Sequence, residues 1–136
     1  MTSKYKLLFN YIKTLLPADY IITFGTQDIN KENTIGVFFK GGIPENRVIT
    51  TGEYLIKTAS ITFNVNSKKD YNSVMECMTM LEALKTALDT SHDIEHTEGI
   101  DSVYIAYFEA FGDINQLGFN EMGIPVFSLN YIAKYN

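Results

Sequence analysis

The chain has 136 residues, which is enough for one compact domain and too few for two ordinary ones. Hydrophobic residues make up 46% and charged residues 20%, a composition that excludes intrinsic disorder as the main state. Sixteen acidic residues against eleven basic ones give a net charge of −5, so no general basic field favours nucleic-acid binding. Nine Tyr and nine Phe without any Trp are more rings than one core of this size needs. We therefore expect some aromatic side chains to lie on a surface that meets a partner.

The first half of the chain predicts one helix and three strands. Leu7, Leu8 and Ile12 recur at helical spacing, Ser3 is a suitable N-cap, and Pro17 forces the preceding residue out of helical geometry. The predicted elements are a helix over 4–15, a short strand over 20–24, a strand over 34–39, a loop over 40–52, and a long strand over 54–66 with a bulge or a bend at 58–60.

The second half predicts one helix and two strands. Asp70 can cap a helix whose apolar stripe includes Val74, Cys77, Leu81 and Leu88. The predicted elements are this helix over 71–89, a polar linker, a strand over 103–108, a long loop over 112–123, and a last strand in which residues 127, 129, 131 and 133 share one face.

This order, α-β-β-β-α-β-β, predicts an α+β fold with a single domain over 1–136. Two helices with one apolar stripe each can cover one face of a sheet, so the simplest packing is a two-layer sandwich. We expect a mixed sheet of four to five strands with both helices on one face. The uncovered face and the sheet edges are then the expected place for the surplus of Tyr and Phe.

One short motif suggests metal chemistry. The residues from His92 to His96 fit the pattern H-x-x-E-H, in which two histidines on one helix face bind zinc and Glu95 acts as the base. A third ligand would have to come from Glu109 or Glu121. The segment begins where a helix is predicted to end, so a solvated helix end or loop is the favoured interpretation, and we expect no metal and no cofactor.

The single Cys77 excludes an internal disulfide and lies in the apolar stripe of the second predicted helix. A core position is therefore favoured over a nucleophile, and no other catalytic motif is present. Lysines interrupt the apolar residues near the amino terminus, and no apolar run approaches the roughly 20 residues of a membrane span. We expect a soluble protein that folds in the cytosol.

The carboxyl-terminal third carries a more specific pattern. Leu117-Gly118-Phe119-Asn120-Glu121-Met122-Gly123 is followed by a strand containing Ser128-Leu129-Asn130-Tyr131. This sequence resembles the end of the tail terminator proteins of long-tailed bacteriophages, also called tail-completion or minor capsid proteins. The order of the preceding predicted elements, including the glycine pair before Pro44, is similar as well.

The resemblance implies a structural virion protein and not an enzyme. It would cap the tail tube, end tube polymerisation and form the head–tail joining surface, as a hexameric ring assembled in the host cytoplasm. Its partners would be copies of itself, the tail tube protein and the connector, with no specific nucleic-acid binding and no membrane. A small zinc hydrolase that uses His92, Glu95 and His96, and a small adaptor or ligand-binding module, remain the alternatives. The resemblance places the assembly surface at Lys40, Gly41, Gly42, Pro44, Arg47, Leu117, Asn120, Glu121 and Asn130. Ordinary turn chemistry is the alternative for the loops over 40–47 and 112–123, since Asn120 and Gly123 are residues that a turn uses.

Overall fold

The computed structural model describes residues 3–40 and 57–136. These residues form two helices and seven strands, in an order that is α-β-β-β-α-β-β-β-β. The elements are α1 (Lys4–Leu15), β1 (Ile21–Phe24), β2 (Thr34–Lys40), β3 (Lys57–Asn66), α2 (Tyr71–Asp89), β4 (His92–Glu98), β5 (Asp101–Ala110), β6 (Asn115–Phe119) and β7 (Pro125–Tyr135).

Both helices occur over the predicted residues, and their capping side chains explain where they begin. The Ser3 hydroxyl accepts from the Tyr5 amide at 3.2 Å, which satisfies one of the free amides of α1. The Asp70 carboxylate accepts from the Ser73 amide at 2.8 Å at the start of α2. This hydrogen bond lowers the pKa of Asp70. Neither helix is long and apolar enough to cross a membrane, within the residues that the structure describes.

The seven strands form one sheet in the order β1-β2-β3-β7-β5-β4, and β6 pairs with β7 next to the end of β5. Only the β1–β2 pair is parallel among these strands. β7 is the longest strand, with eleven residues, and it pairs with β3 on one side and with β5 and β6 on the other. The sheet curls into a half-barrel.

The predicted fold class is therefore wrong. The expectation was a two-layer sandwich with four to five strands, but the described residues are 46% strand and form seven strands in a curled sheet. Two segments account for the difference. The residues after α2, expected as a helix end or loop, form β4, and the loop predicted over 112–123 contains β6. With two more strands, the sheet is wide enough to curl.

The long third strand also differs from its prediction. The register between β3 and β7 is continuous from Lys57 to Asn66, so the bulge predicted at 58–60 is wrong. The loss of alternation there has another cause, since Thr58 and Ala59 are both buried although they face opposite sides of the sheet. The irregularity lies instead in β5, between Ile105 and Tyr107. The predicted residues 54–56 lie outside the described residues.

Both helices bury their apolar stripes in one core. Leu8 and Ile12 of α1 and Leu81 of α2 are fully buried in the same cluster as Phe63 and Leu129 of the central strands. The predicted inward face of the last strand is confirmed, and its buried members are Phe127, Leu129, Tyr131 and Ala133. The core position of Cys77 is confirmed as well, since this residue is buried.

The opposite face of the central strands carries mostly polar side chains, with the apolar Phe38 and Ile132 among them. In register across β2, β3 and β7 lie Phe38, Thr62 and Asn130, and the Thr62 hydroxyl donates to Asn130 Oδ1 at 2.8 Å. Few of the surplus aromatic residues lie there, but exposed rings do lie on the edge strands, at Phe24 of β1 and Phe119 of β6, and on β5, at Tyr104 and Tyr107. Several rings pack around α1, as in the ring pairs Tyr5–Phe39, Phe9–Phe24 and Tyr11–Phe108, whose centroids are 5.6, 5.1 and 6.3 Å apart.

Candidate assembly surface

The segment that carries the sequence motif is an exposed edge strand. Among the described residues, β6 pairs with β7 alone, and its outer side has no strand neighbour. The pairing shifts between Gln116 and Gly118, so Leu117 lies at a bulge with its side chain in solvent. Gly118 has φ of 91°, a backbone conformation that glycine adopts readily and other residues do not. The bulge therefore depends on this glycine.

Asn120 holds the turn that joins β6 to β7. Its side-chain oxygen accepts from the Met122 amide at 2.9 Å and from the Ile124 amide at 3.0 Å. Its backbone carbonyl also accepts from the Gly123 amide at 2.9 Å. These are the bonds of an Asx-type turn, for which an asparagine followed by a glycine in a left-handed conformation is well suited.

The same side chain fastens a second loop. Asn120 Nδ2 donates to the Ile29 carbonyl at 2.7 Å, which joins the turn to the loop between β1 and β2. Asn66 Nδ2 holds this loop from the sheet side by donating to the Lys31 carbonyl at 3.1 Å. The loop lies close to the sheet because position 36 is glycine. A Cβ there would come within 2.9 Å of Gln27 Cβ.

Four large apolar side chains surround Asn120, in sequence or through its bond to the β1–β2 loop. We name this set the turn patch, and its members are Ile29, Leu117, Phe119 and Met122, with 65%, 61%, 68% and 49% of their surface exposed. Isolated exposed apolar residues are ordinary, but a group gathered at one end of a sheet is typical of an interaction site.

The charges beside the turn patch are acidic. Asp113 forms an ion pair with Lys85 of α2, with 3.5 Å between Nζ and Oδ1. The pKa of Asp113 is lowered, first by the Ile114 amide that it accepts from and then by Lys85. Glu121 lies in the turn itself and is exposed. Residues 112–123 contain no Lys or Arg.

The structure separates the predicted assembly residues into two places. Leu117, Asn120 and Glu121 lie together at the turn patch or beside it. Lys40 and Asn130 belong to the open polar face, one at the exposed end of β2 and the other half-buried in β7. The remaining predicted positions, Gly41, Gly42, Pro44 and Arg47, lie outside the described residues.

Sequence reasoning missed part of the turn patch. Phe119 and Met122 lie inside the motif but are not among the predicted assembly residues, and Ile29 lies in a different loop. Phe119 could have been found, because an aromatic residue between a glycine and an asparagine in a turn has little chance of reaching the core. Ile29 had no such signal, since only the bond from Asn120 brings its loop to the turn.

The histidines of the H-x-x-E-H pattern lie on β4 and not on a helix. His96 faces α1, where its Nε2 is 2.7 Å from Glu98 Oε2 and its ring packs on Tyr11. His92 is exposed and lies beside Asp93, with 3.5 Å between Nδ1 and Oδ2. The helical spacing that would direct both rings to one metal is absent. Within residues 3–40 and 57–136, no group of three or more His, Cys, Asp or Glu is arranged to hold a metal ion.

Cys77 is a residue of α2, and its side chain is buried in the core. Burial raises the pKa of its thiol, and hydrogen bonds from Tyr20 and Ser67 offset this effect in part. A buried thiol with a raised pKa is a poor nucleophile, which fits the predicted structural role.

Comparison of the chain with protein-family models and with curated proteins gives no match.

Proposed function

We propose that this protein is a structural subunit of a long-tailed bacteriophage, which caps the tail tube, ends its polymerisation and forms the surface that joins the tail to the head. The observation that carries the proposal is the construction of residues 117–123. The part of the sequence that resembles tail terminators forms an exposed edge strand and a tightly bonded turn, surrounded by the turn patch. An exposed edge strand beside a group of exposed apolar side chains supports contact with a partner.

The rest of the molecule supports an assembly role. A subunit of a closed ring needs two different surfaces that complement each other, and further surfaces for the tube and the connector. The turn patch is apolar and the open sheet face is mostly polar. The outer sides of the edge strands have no strand neighbour among the described residues. A net charge of −5 suits a subunit beside a channel through which DNA must pass without binding.

The test is the addition of the purified protein to growing tail tubes. The tubes are polymerised from a tail tube protein encoded in the same genome as this chain, and their lengths are measured by electron microscopy. We expect excess protein to stop elongation and a gold label on the chain to appear at one tube end. Glu95→Lys, on the distant strand β4, serves as the control and should stop elongation equally well.

Two results together contradict the proposal. Tubes would reach the same lengths with and without a saturating excess of the protein, and the label would be absent from their ends. A monomer in solution does not contradict the proposed function, because termination requires only that the protein assemble at the end of the tube.

A further inference from the structure

Strand β1 offers free backbone groups to a partner. It pairs with β2 alone among the described residues. The Ile21 amide donates to the Asn33 carbonyl at 2.9 Å, and the Gly25 amide donates to the Val37 carbonyl at 2.8 Å. In a parallel strand, alternate residues turn both backbone groups to the same side. The amides and carbonyls of Ile22 and Phe24 therefore point away from the sheet.

A groove runs beside the start of this edge. It has a volume of about 480 Å³ and lies between the carboxyl-terminal end of α1 and β1. Most of its lining residues are apolar, and Lys13 is the one charged residue among them. A groove between an edge strand and a helix can accept an added strand, because backbone hydrogen bonds supply affinity while the helix side contacts alternate side chains. The lining residues are Lys13, Thr14, Leu16, Pro17, Ala18, Tyr20 and Ile22.

Strand β6 has the properties that this groove requires. Its five residues carry no charge, and its outer side has no strand neighbour among the described residues. The other edge strand, β4, is a poor candidate, because it carries Asp93, Glu95 and Glu98, and charges at an edge oppose strand addition.

Helix α1 and the segment that carries β6 hold charges of opposite sign, and Asp19 is the one carboxylate in the segment between α1 and β1. Helix α1 contains Lys4, Lys6 and Lys13 and no acidic residue, although the whole chain is acidic. Residues 112–123 contain Asp113 and Glu121 and no basic residue. Since Asp113 is already paired with Lys85, Glu121 is the carboxylate that remains for Lys13.

We infer that copies of this chain join head to tail, with β6 of one protomer pairing in antiparallel direction with β1 of the next and Glu121 lying beside Lys13. The antiparallel direction follows from the charges, because it brings the end of β6 that bears Glu121 to the end of β1 that lies beside Lys13. Such a contact uses two different surfaces of each protomer, so its repetition closes a ring if the rotation allows it. The inference deepens the proposed function and rests on it for the ring.

Charge reversal tests the pairing. Mass photometry and analytical ultracentrifugation measure the protomer concentration at half-assembly for the wild type, Lys13→Glu, Glu121→Lys and the double variant. Each single variant should raise this concentration about tenfold, and the double variant should return it to within about threefold of the wild type, since a Lys–Glu pair is restored. Glu95→Lys changes the net charge as Glu121→Lys does and should leave assembly unchanged. A double variant no better than the singles overturns the inference.

Cross-linking tests the geometry at up to about 1 mM protein. Ile21→Cys and Leu117→Cys place exposed thiols on β1 and β6, while the native Cys77 is buried, so the wild type should not react with a short bifunctional thiol reagent. The double variant should give a ladder of oligomers and each single variant none. Dimers from a single variant, assembly without a ladder, or no assembly at all overturn the inference.

The two proposals fail separately. Tube termination without the ladder leaves the proposed function standing and removes this interface. A ladder from protein that does not stop tube growth supports the interface and removes the proposed function.

Discussion

Strands β4 and β6 are both short edge strands, yet the chain treats them in opposite ways. The outer side of β4 carries charge, and α1 covers its inner side, where Asn10 Nδ2 donates to both oxygens of Glu98 at 3.0 Å. β6 has neither charge nor a helix, and Leu117 and Phe119 are exposed on it. The fold therefore protects the β4 edge from pairing and leaves the β6 edge available.

Among substitutions that test this difference between β4 and β6, the largest effect on stability is expected at Asn120. Asn120→Ala removes two bonds that hold the turn and the bond to Ile29, so we expect the free energy of unfolding to fall by about 2 kcal/mol. Urea denaturation measures the change. Asn115→Ala, on the exposed side of the same segment, is the matched control and should stay within about 0.5 kcal/mol of the wild type. Equal stability of both variants would show that β6 does not need the turn.

On the β4 side, the contrast predicts a dependence on pH. Hydrogen bonds from His96 and then from Asn10 hold the pKa of Glu98 below its ordinary value of 4.5. Because the folded-state pKa is lower than the unfolded one, ionised Glu98 stabilises the fold above about pH 4.5, and this contribution is lost as pH falls through the folded-state pKa. Between pH 5 and pH 3 the free energy of unfolding should therefore fall less for Glu98→Gln than for the wild type, because the variant lacks the one carboxylate whose contribution is lost.

Thermal unfolding at several pH values measures that difference. Glu95→Gln on the same strand is the control and should follow the wild-type profile. Parallel profiles for the wild type and Glu98→Gln would show that the contact with α1 does not secure β4.

The smallest effect is expected at Phe119. Phe119→Ser should change the free energy of unfolding by no more than about 0.5 kcal/mol, because the ring is mostly exposed. Ile94→Ser on β4 should cost at least about 1 kcal/mol, since Ile94 packs against the core. Urea denaturation measures the free energy of unfolding of both variants. A large loss from Phe119→Ser would mean that β6 stabilises its own chain and is not kept for a partner.

The helices and the central strands could be predicted because apolar periodicity and caps determine them locally. The strand β4 could not, because only Ile94 among its inward residues is apolar, and the other inward positions hold His96 and Glu98, which bond to each other. Hydrophobic alternation does not register a strand whose buried side is polar. β6 was not predicted for another reason. Four of its five residues are exposed, and its bulge interrupts the alternation.

The candidate site was predictable in its position and not in its extent. The motif located the turn, but the exposure of Phe119 and the arrival of Ile29 depend on tertiary contacts. Asn120 was expected as an assembly residue or as turn chemistry, and in this chain its polar atoms bond the turn and the neighbouring loop. The surface left for a partner is formed by the side chains around it.

The central position of β7 has a consequence for how the protein is made. Phe63 and Leu129 pair across the middle of the sheet although they lie far apart in sequence. Long-range pairs of this kind slow folding, because a large loop must close before any stabilising contact forms. During translation β3 lacks its partner until β7 has left the ribosome. Until then the apolar side of β3 is exposed to aggregation unless the helices pack against it. We therefore expect the rate of synthesis and the supply of chaperones to affect the yield of folded protein.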